Sequence, residues 1–309
     1  MKYCENVLES IGNTSIVRLN NIVPPDHAKI LVKLEGENPT GSMKDRMARG
    51  MIAAAEKDGR LRRGSTVIEY TGGSTGASLA LICAVKGYRL RIVTSDAFSQ
   101  DKINHMKALG ADITIVPSRG RGTTKELIEE MIETARKLSQ EPNTYWTDQF
   151  NNSDSIAGYH SLGEEIWEQT NGQVNAFVHA VGTAASIKGT SSVLRKYNSN
   201  VKIIAVEPVE SPVLSGGIKG AHGIEGIGSG FVPPLWEPGI ADATLQISTN
   251  EAKEMARLLA KNEGIFAGTS SGANVAAAIK VAKQLGPGNT VVTLIVDSGL
   301  KYMSTDLFK

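Results

Sequence analysis

The most informative segment of the chain is residues 37–46, which read Glu37-Asn38-Pro39-Thr40-Gly41-Ser42-Met43-Lys44-Asp45-Arg46. A loop passes here into a helix, and Ser42 is predicted to be the N-cap that accepts a hydrogen bond from the Asp45 N–H. Lys44 then lies in the first turn, at the positive end of the helix dipole, where a structural cation is unfavourable. Because these surroundings favour the neutral amine, which attacks carbonyl groups, Lys44 is a candidate catalytic residue. The alternative is a solvated surface lysine.

Size and charge narrow the class of protein. The chain has 309 residues, enough for about two domains, and its 33 Lys+Arg against 32 Asp+Glu give a net charge of +1. This balance argues against nucleic acid or an acidic membrane surface as the main partner. Cys4 and Cys83 have no CxxC spacing, so neither a disulfide framework nor a metal site is indicated, and a cytoplasmic location is expected. No apolar run approaches the ~18 residues that span a bilayer.

Predicted strands and helices alternate along the chain. Residues 66–70 and 176–181 are predicted strands, each followed by a small-residue loop and a helix, and residues 155–170 are predicted to form one helix. Repeated βα units with apolar strands predict an α/β fold with mostly parallel sheets covered on both faces. Two doubly wound halves that meet near residues 145–152 fit better than an eight-fold barrel. Ligands in such folds bind beyond the carboxyl ends of the strands.

Three loops at predicted strand ends could carry chemistry. The first two are Thr71-Gly72-Gly73-Ser74-Thr75-Gly76 and Gly182-Thr183-Ala184-Ala185-Ser186. Their N–H groups and hydroxyls suit a carboxylate or a phosphate, although a simple tight turn explains either loop equally well. The third, Gly268-Thr269-Ser270-Ser271-Gly272, is a G-x-S-x-G sequence typical of serine hydrolases. That fold needs a histidine after the serine, and all five histidines precede Ser270; a triad in another chain order is left open.

The whole chain resembles the pyridoxal-phosphate (PLP) enzymes of the cysteine synthase (O-acetylserine sulfhydrylase) and cystathionine β-synthase family, fold type II. The likeness runs from residues 11–14 to residues 297–302, and the motif at residues 38–46 is its most specific part. The resemblance implies two mostly parallel, tryptophan synthase β-like domains with the cofactor between them. The expected N-terminal domain comprises residues 1–12 and 35–150 and is mobile, and the C-terminal domain comprises residues 13–34 and 151–309.

The resemblance also assigns roles to individual residues. Lys44 would carry the cofactor and act as general base, and Ser270 would hydrogen bond the pyridine nitrogen. The residues that would hold the cofactor phosphate are Gly182, Thr183, Ala184, Ala185 and Ser186. Those that would hold the substrate are Thr71, Gly72, Ser74, Thr75 and Gln149, with Gly228 at the entrance. Ser74 would also lie near the phenolic oxygen of the cofactor.

Both anion loops depart from the usual family sequence. The family usually has Ser-Gly-Asn-Thr-Gly in the first loop, where this chain has Gly72 in place of the serine and Ser74 in place of the asparagine. In the phosphate loop, Ala184 and Ala185 replace two glycines, and their Cβ atoms are expected to be tolerated only if both residues keep negative φ. The changes beside the substrate weaken the prediction of its identity more than that of the cofactor.

The expected reaction is β-replacement on O-acetylserine or a similar activated serine, with sulfide, giving L-cysteine through an aminoacrylate. Alternatives are a cystathionine β-synthase-like or hydrogen-sulfide-producing replacement on serine or cysteine with another thiol, and a serine or threonine dehydratase. A further alternative is a catalytically silent homologue that binds the cofactor or a partner's tail. The resemblance implies a homodimer and, as a possible partner, the C-terminal tail of a serine acetyltransferase.

Overall fold

Two sheets of mostly parallel strands organise the chain. The computed structural model describes residues 3–120 and 124–309, so residues 1–2 and 121–123 of the predicted N-terminal domain lie outside the described residues. The strands are β1 Ile16–Arg18, β2 Lys29–Leu34, β3 Thr66–Tyr70, β4 Arg89–Ser95, β5 Asp112–Val116, β6 Thr144–Trp146, β7 Ala176–Ala180, β8 Lys202–Pro208, β9 Ala243–Ile247 and β10 Thr290–Ile295. The helices are α1 Lys44–Asp58, α2 Ser74–Lys86, α3 Gln100–Ala108, α4 Lys125–Ser139, α5 Asp154–Ala157, α6 His160–Gln169, α7 Ala185–Tyr197, α8 Thr249–Leu258 and α9 Thr269–Leu285.

The two sheets confirm the predicted α/β fold. The smaller sheet has the order β5-β4-β3-β6 and the larger one the order β1-β2-β10-β7-β8-β9. All neighbouring strands run parallel except β1, which is antiparallel to β2. Because β1 and β2 join the larger sheet although they precede the smaller one in sequence, we propose the domain division into residues 1–12 plus 35–150 and residues 13–34 plus 151–309.

Burial explains the position of each strand in its sheet. Every residue of β7 and β10 is buried, as expected for apolar strands covered by helices on both faces. The edge strands β5 and β9 share a mixed pattern in which only the last residue is buried. The large core cluster around β10 and α9 packs small residues closely, including Ala273, Ala277 and Ala278. The loops at residues 71–76 and 182–186 directly follow β3 and β7, and residues 267–271 contact the segment that follows β10.

Two local predictions were wrong. The helix predicted over residues 155–170 is two helices, α5 and α6, which are separated at Gly158. A Cβ on Gly158 would lie 2.6 Å from the Arg46 carbonyl oxygen, so the break allows α5 to approach the backbone of α1. Ser42 does not cap the Asp45 N–H with its side chain, because the N-cap of α1 is Met43. Instead, the Ser42 hydroxyl accepts from the Lys44 N–H at 3.3 Å.

The described part of the chain contains no candidate for a membrane-spanning helix. Across residues 3–120 and 124–309, none of the helices combines the length and the apolar character needed to cross a bilayer.

Candidate active site

Lys44 lies where α1 meets the end of β10. The Met43 N–H donates to the Val296 carbonyl at 3.0 Å, and Ser42 forms an isolated bridge with Asp297. These backbone contacts fix the start of α1 against the larger sheet. Burial of the amine lowers the pKa of Lys44; the nearby Asp297 carboxylate acts in the opposite direction, and the Lys102 cation reinforces the lowering. The predicted catalytic lysine is thus held in surroundings that favour its neutral form.

The structure brings the predicted carboxylate-binding residues together at the end of β3. The Gly73 N–H donates to the Thr71 hydroxyl at 3.0 Å. The Thr75 hydroxyl donates to Gln149 Oε1 at 2.8 Å, and Gln149 Nε2 donates to the Tyr70 carbonyl at 3.1 Å. Gly72 lies between Thr71 and Gly73, and Ser74 is the first residue of α2. The loop therefore has its hydroxyls and the N-terminus of a helix on one side of the cleft.

The buried carboxyl group of Glu69, which the sequence did not predict, stabilises this loop through hydrogen bonds. Glu69, the fourth residue of β3, accepts hydrogen bonds from the Tyr70 N–H at 2.9 Å, the Thr147 hydroxyl at 2.7 Å and the Gln149 N–H at 3.0 Å. Burial raises the pKa of Glu69 to about 8, against the lowering effect of these three donors. Glu69 thereby fixes the backbone of Gln149 relative to β3.

The loop at residues 182–186 joins β7 to the N-terminus of α7. Ala184 is the N-cap of α7 and has φ +70°, so the expectation that both alanines keep negative φ was wrong for Ala184. A left-handed conformation costs a residue with a Cβ about 1–2 kcal/mol. A Cβ on Gly182 would lie 2.5 Å from the Gly226 carbonyl oxygen, so the glycine lets the segment around Gly226 pass close by. The first N–H groups of α7 have no partner within the helix and face this loop.

Ser270 lies in the first turn of α9 and is 3% exposed. In the part of the chain that the structure describes, its hydroxyl makes no side-chain hydrogen bond, and the histidines that do make such bonds contact Asp26, Ser186, Asn274 and backbone groups. Ser270 therefore has no histidine partner, which argues against a serine hydrolase in any chain order. A hydroxyl that makes no protein hydrogen bond, on an otherwise buried residue, instead suits a ligand atom.

Gly228 borders the same region from the other side. Its N–H donates to the Val181 carbonyl at 3.2 Å, and its carbonyl accepts from His222 Nε2 at 2.8 Å. The first contact attaches the predicted entrance segment to the residue that directly follows β7. The entrance segment and the 182–186 loop are consequently neighbours.

A charged cluster across the cleft was not predicted. Lys102 of α3 forms an ion pair with Glu225, and its Nζ lies 4.4 Å from the centre of the Tyr302 ring. The Tyr302 hydroxyl donates to Asp297 Oδ2 at 2.8 Å. Among the described residues, the buried Oδ1 of Asp297 has no hydrogen-bond partner. Residues 297–302 were recognised in the sequence as part of the family likeness, but no pattern connected them with Lys102.

The donor set fits pyridoxal phosphate. That molecule needs an amine for its aldehyde, several donors for its phosphate and a partner for its ring nitrogen. The chain offers the Lys44 amine, the N–H groups and hydroxyls of residues 182–186, and the unpartnered Ser270 hydroxyl. His179 lies between the first two groups. Its ring is hydrogen bonded to Ser186 at 2.8 Å, and the charge of Lys44 lowers its pKa.

Comparisons with known proteins agree with this donor set. A family model described as "Pyridoxal-phosphate dependent enzyme" matches residues 7–297. A cysteine synthase of Staphylococcus aureus (strain Mu50 / ATCC 700699) is 40% identical over 309 residues, which cover 99% of this chain and 98% of that protein. The crystal structure of a cysteine synthase (OASS) from Entamoeba histolytica matches with a TM-score of 0.92 and 38% identity, over 99% of this chain and 91% of the other.

A second solved structure is similar over its full length. The O-acetylserine-dependent cystathionine beta-synthase from Helicobacter pylori matches with a TM-score of 0.93 and 34% identity, and the match covers 100% of both chains. Sequence and structure comparisons therefore point to the same group of proteins.

Proposed function

The chain belongs to the family of pyridoxal-phosphate-dependent enzymes, and from that premise we propose that it forms L-cysteine by β-replacement on O-acetylserine, or a similar activated serine, with sulfide. It is an enzyme of the cysteine synthase type and uses pyridoxal phosphate. The observation that carries the proposal is the position of Lys44, a half-buried residue whose amine has a lowered pKa, among the loops at residues 71–75 and 182–186.

The cofactor, when bound, supplies an electron-accepting ring that stabilises negative charge at the substrate Cα. We assign the rest of the chemistry to side chains of this chain. Lys44 holds the cofactor and moves the proton at the substrate Cα, with Nζ as the base. The residues assigned to the cofactor phosphate are Gly182, Thr183, Ala184, Ala185 and Ser186. Ser270 would bind the ring nitrogen, and a hydroxyl there would leave that nitrogen less protonated than a carboxylate would.

The first loop is assigned to the amino-acid substrate. The residues that would hold its carboxylate are Thr71, Gly72, Ser74, Thr75 and Gln149, and Ser74 would also lie near the phenolic oxygen of the cofactor. Gln149 donates its backbone N–H to the Glu69 carboxyl group and its side-chain amide to the Tyr70 carbonyl, so the carboxylate site is oriented before substrate arrives. Gly228 borders the path by which the nucleophile enters. Holding the carboxylate in one place directs the Cα–H bond of the substrate toward Lys44.

A related replacement is the second candidate. The full-length likeness to the O-acetylserine-dependent cystathionine beta-synthase favours a reaction in which an organic thiol replaces sulfide, and use of serine or cysteine as the first substrate belongs to the same alternative. A serine or threonine dehydratase and a silent cofactor-binding homologue remain the more distant alternatives.

One set of assays distinguishes these functions. The purified protein is reduced with borohydride in the presence of pyridoxal phosphate, and peptide mass spectrometry is expected to find the adduct on Lys44 and to lose it in Lys44→Ala. Cysteine formed from O-acetylserine and sulfide supports the lead proposal. Cystathionine from homocysteine, or hydrogen sulfide from cysteine, would transfer the assignment to the second candidate. Pyruvate formed without sulfide indicates a dehydratase, and an adduct without turnover indicates the silent homologue.

The proposal extends to partners and compartment. We infer a homodimer and a possible complex with the C-terminal tail of a serine acetyltransferase, both from the family likeness, and a cytoplasmic location consistent with the free thiols of Cys4 and Cys83. Light scattering measures the oligomeric state. If a synthetic peptide of the acetyltransferase tail fails to compete with the amino-acid substrate, the proposed complex with serine acetyltransferase is wrong.

A further inference from the structure

A buried histidine adjoins the loop that we assign to the cofactor phosphate. His179 is the fourth residue of β7 and is 2% exposed, and its Nε2 lies 2.8 Å from the hydroxyl oxygen of Ser186. Ser186 is the second residue of α7 and is 8% exposed. The direction of this hydrogen bond decides what the Ser186 hydroxyl can do, because a hydroxyl has only one proton to donate.

The side chain of Asn274 determines that direction. Its Oδ1 accepts from the Ala180 N–H at 2.7 Å and its Nδ2 donates to the Leu294 carbonyl at 2.9 Å. Since one partner is a pure donor and the other a pure acceptor, the amide has a single consistent orientation. Its Nδ2 lies 3.4 Å from Nδ1 of His179, and an amide nitrogen can only donate. Nδ1 of His179 is therefore the acceptor and carries no proton.

The neutral ring must then carry its proton on Nε2, which donates to the Ser186 oxygen. Burial lowers the pKa of His179 to about 3, and the charge of Lys44 adds to the lowering, so the ring stays neutral at ordinary pH. The Ser186 oxygen is occupied as an acceptor, and its own proton is free to point away from the ring toward the loop at residues 182–186.

The same geometry excludes a hydrolytic serine–histidine pair. A general base needs a lone pair on the nitrogen that faces the serine and a proton on the other nitrogen, held by an acceptor. His179 has the reverse arrangement, since Asn274 presents a donor to Nδ1. Ser186 is consequently a hydrogen-bond donor rather than an activated nucleophile.

We propose that His179, oriented by Asn274, is a positioning residue that directs the Ser186 proton at the cofactor phosphate. This assignment rests on the proposed function, in which residues 182–186 hold that phosphate. If His179 served only to pack the core, its replacement would leave phosphate binding unchanged. A hydrogen bond from the hydroxyl to a charged oxygen is worth about ten- to a hundredfold in affinity.

The test measures the dissociation constant of pyridoxal phosphate for the apo-protein by absorbance titration, and the 31P chemical shift of the bound cofactor. Pyridoxal, which lacks the phosphate, is titrated in parallel. We expect Ser186→Ala and His179→Ala each to weaken the binding of pyridoxal phosphate about tenfold or more, to move the 31P signal and to leave pyridoxal almost unaffected. The exposed histidine variant His160→Ala is the matched control and should bind like the parent.

Two further variants separate the possible outcomes. The double variant should bind no more weakly than Ser186→Ala alone, because His179 acts through Ser186. His179→Gln keeps an amide donor near the same place and should restore most of the affinity, which also guards against a folding defect in His179→Ala. Additive losses, or unchanged affinity in His179→Ala, would overturn the role of His179. Unchanged affinity in Ser186→Ala would instead overturn the assignment of the phosphate loop.

Discussion

Lys102 and Glu225 form an ion pair that joins a helix beside strands of the smaller sheet in the chain to the long segment between two strands of the larger sheet. Lys102 belongs to α3, which connects β4 and β5 of the smaller sheet, and Glu225 lies between β8 and β9 of the larger sheet. The Lys102 side chain is 6% exposed and that of Glu225 is 33% exposed, so water screens the pair only in part. Lys102 also lies over the ring of Tyr302, whose hydroxyl donates to Asp297, so the ion pair is connected to Asp297 through Tyr302.

Loss of this ion pair should weaken substrate binding more than cofactor binding. Glu225→Gln keeps the size of the side chain and removes its charge, so Lys102, whose side chain packs against Gly73 of the first loop, is held less firmly. We expect KM for the amino-acid substrate to rise about three- to tenfold, with the dissociation constant of pyridoxal phosphate unchanged. Steady-state kinetics and cofactor titration measure the two constants, with the exposed-site variant Glu254→Gln as control. An equal rise in KM and in the dissociation constant of pyridoxal phosphate would contradict the prediction.

The ring of Phe98 explains why the first loop has a glycine where the family has a serine. A Cβ on Gly72 would lie 2.9 Å from Cε1 of Phe98, closer than real Cβ contacts. Gly72→Ser should therefore displace the loop and reduce kcat/KM by about tenfold or more. Phe98→Leu in the same chain frees the space and is expected to recover part of the loss. If Gly72→Ser alone matched the parent, the ring would not be the reason for the glycine.

The sequence was sufficient for features that depend on neighbouring residues. The strand before Thr71 and the helix after it could be predicted because apolar residues, glycines and hydroxyls follow one another directly. The edge strand β9 was missed, because its partly exposed residues lack a strong apolar pattern. The Lys102–Glu225 pair joins residues 123 positions apart, and the positive φ of Ala184 contradicts the usual preference of alanine. Such features depend on tertiary packing, which local patterns do not encode.

Backbone strain at Ala184 predicts a stabilising substitution. Ala184→Gly removes the Cβ that opposes φ +70° and should raise the free energy of unfolding by about 1 kcal/mol. Such a gain corresponds to roughly 1–2 °C in Tm for a chain of 309 residues. Ala185→Gly is the matched control, because Ala185 is a regular helix residue and its replacement should lower stability by about 0.5–1 kcal/mol. Calorimetry that gave the same sign for both variants would contradict the strain at Ala184.

Stability in acid should depend on a buried ionic network behind the active site. Glu165 accepts from Arg46 Nη1 at 2.6 Å and pairs with Lys33 Nζ at 2.7 Å, while Arg46 Nε also contacts Glu35 at 2.7 Å. Burial alone would raise the pKa of Glu165, but the hydrogen bonds and charges of Arg46 and Lys33 outweigh it and hold the pKa at about 2. The network connects β2, α1 and α6, and its centre, Arg46, lies two residues after Lys44.

The sign of the pH dependence follows from the lowered pKa. The folded protein binds the Glu165 proton less readily than the unfolded chain, so the stabilisation is complete above the ordinary value of 4.5 and is lost as pH falls toward 2. We expect Glu165→Gln to cost up to roughly 3 kcal/mol at neutral pH, and this difference from the parent should shrink steadily below pH 4.5. Urea unfolding across this pH range measures it, with the exposed Glu168→Gln as control. A difference that stayed constant with pH would show that Glu165 acts through packing alone.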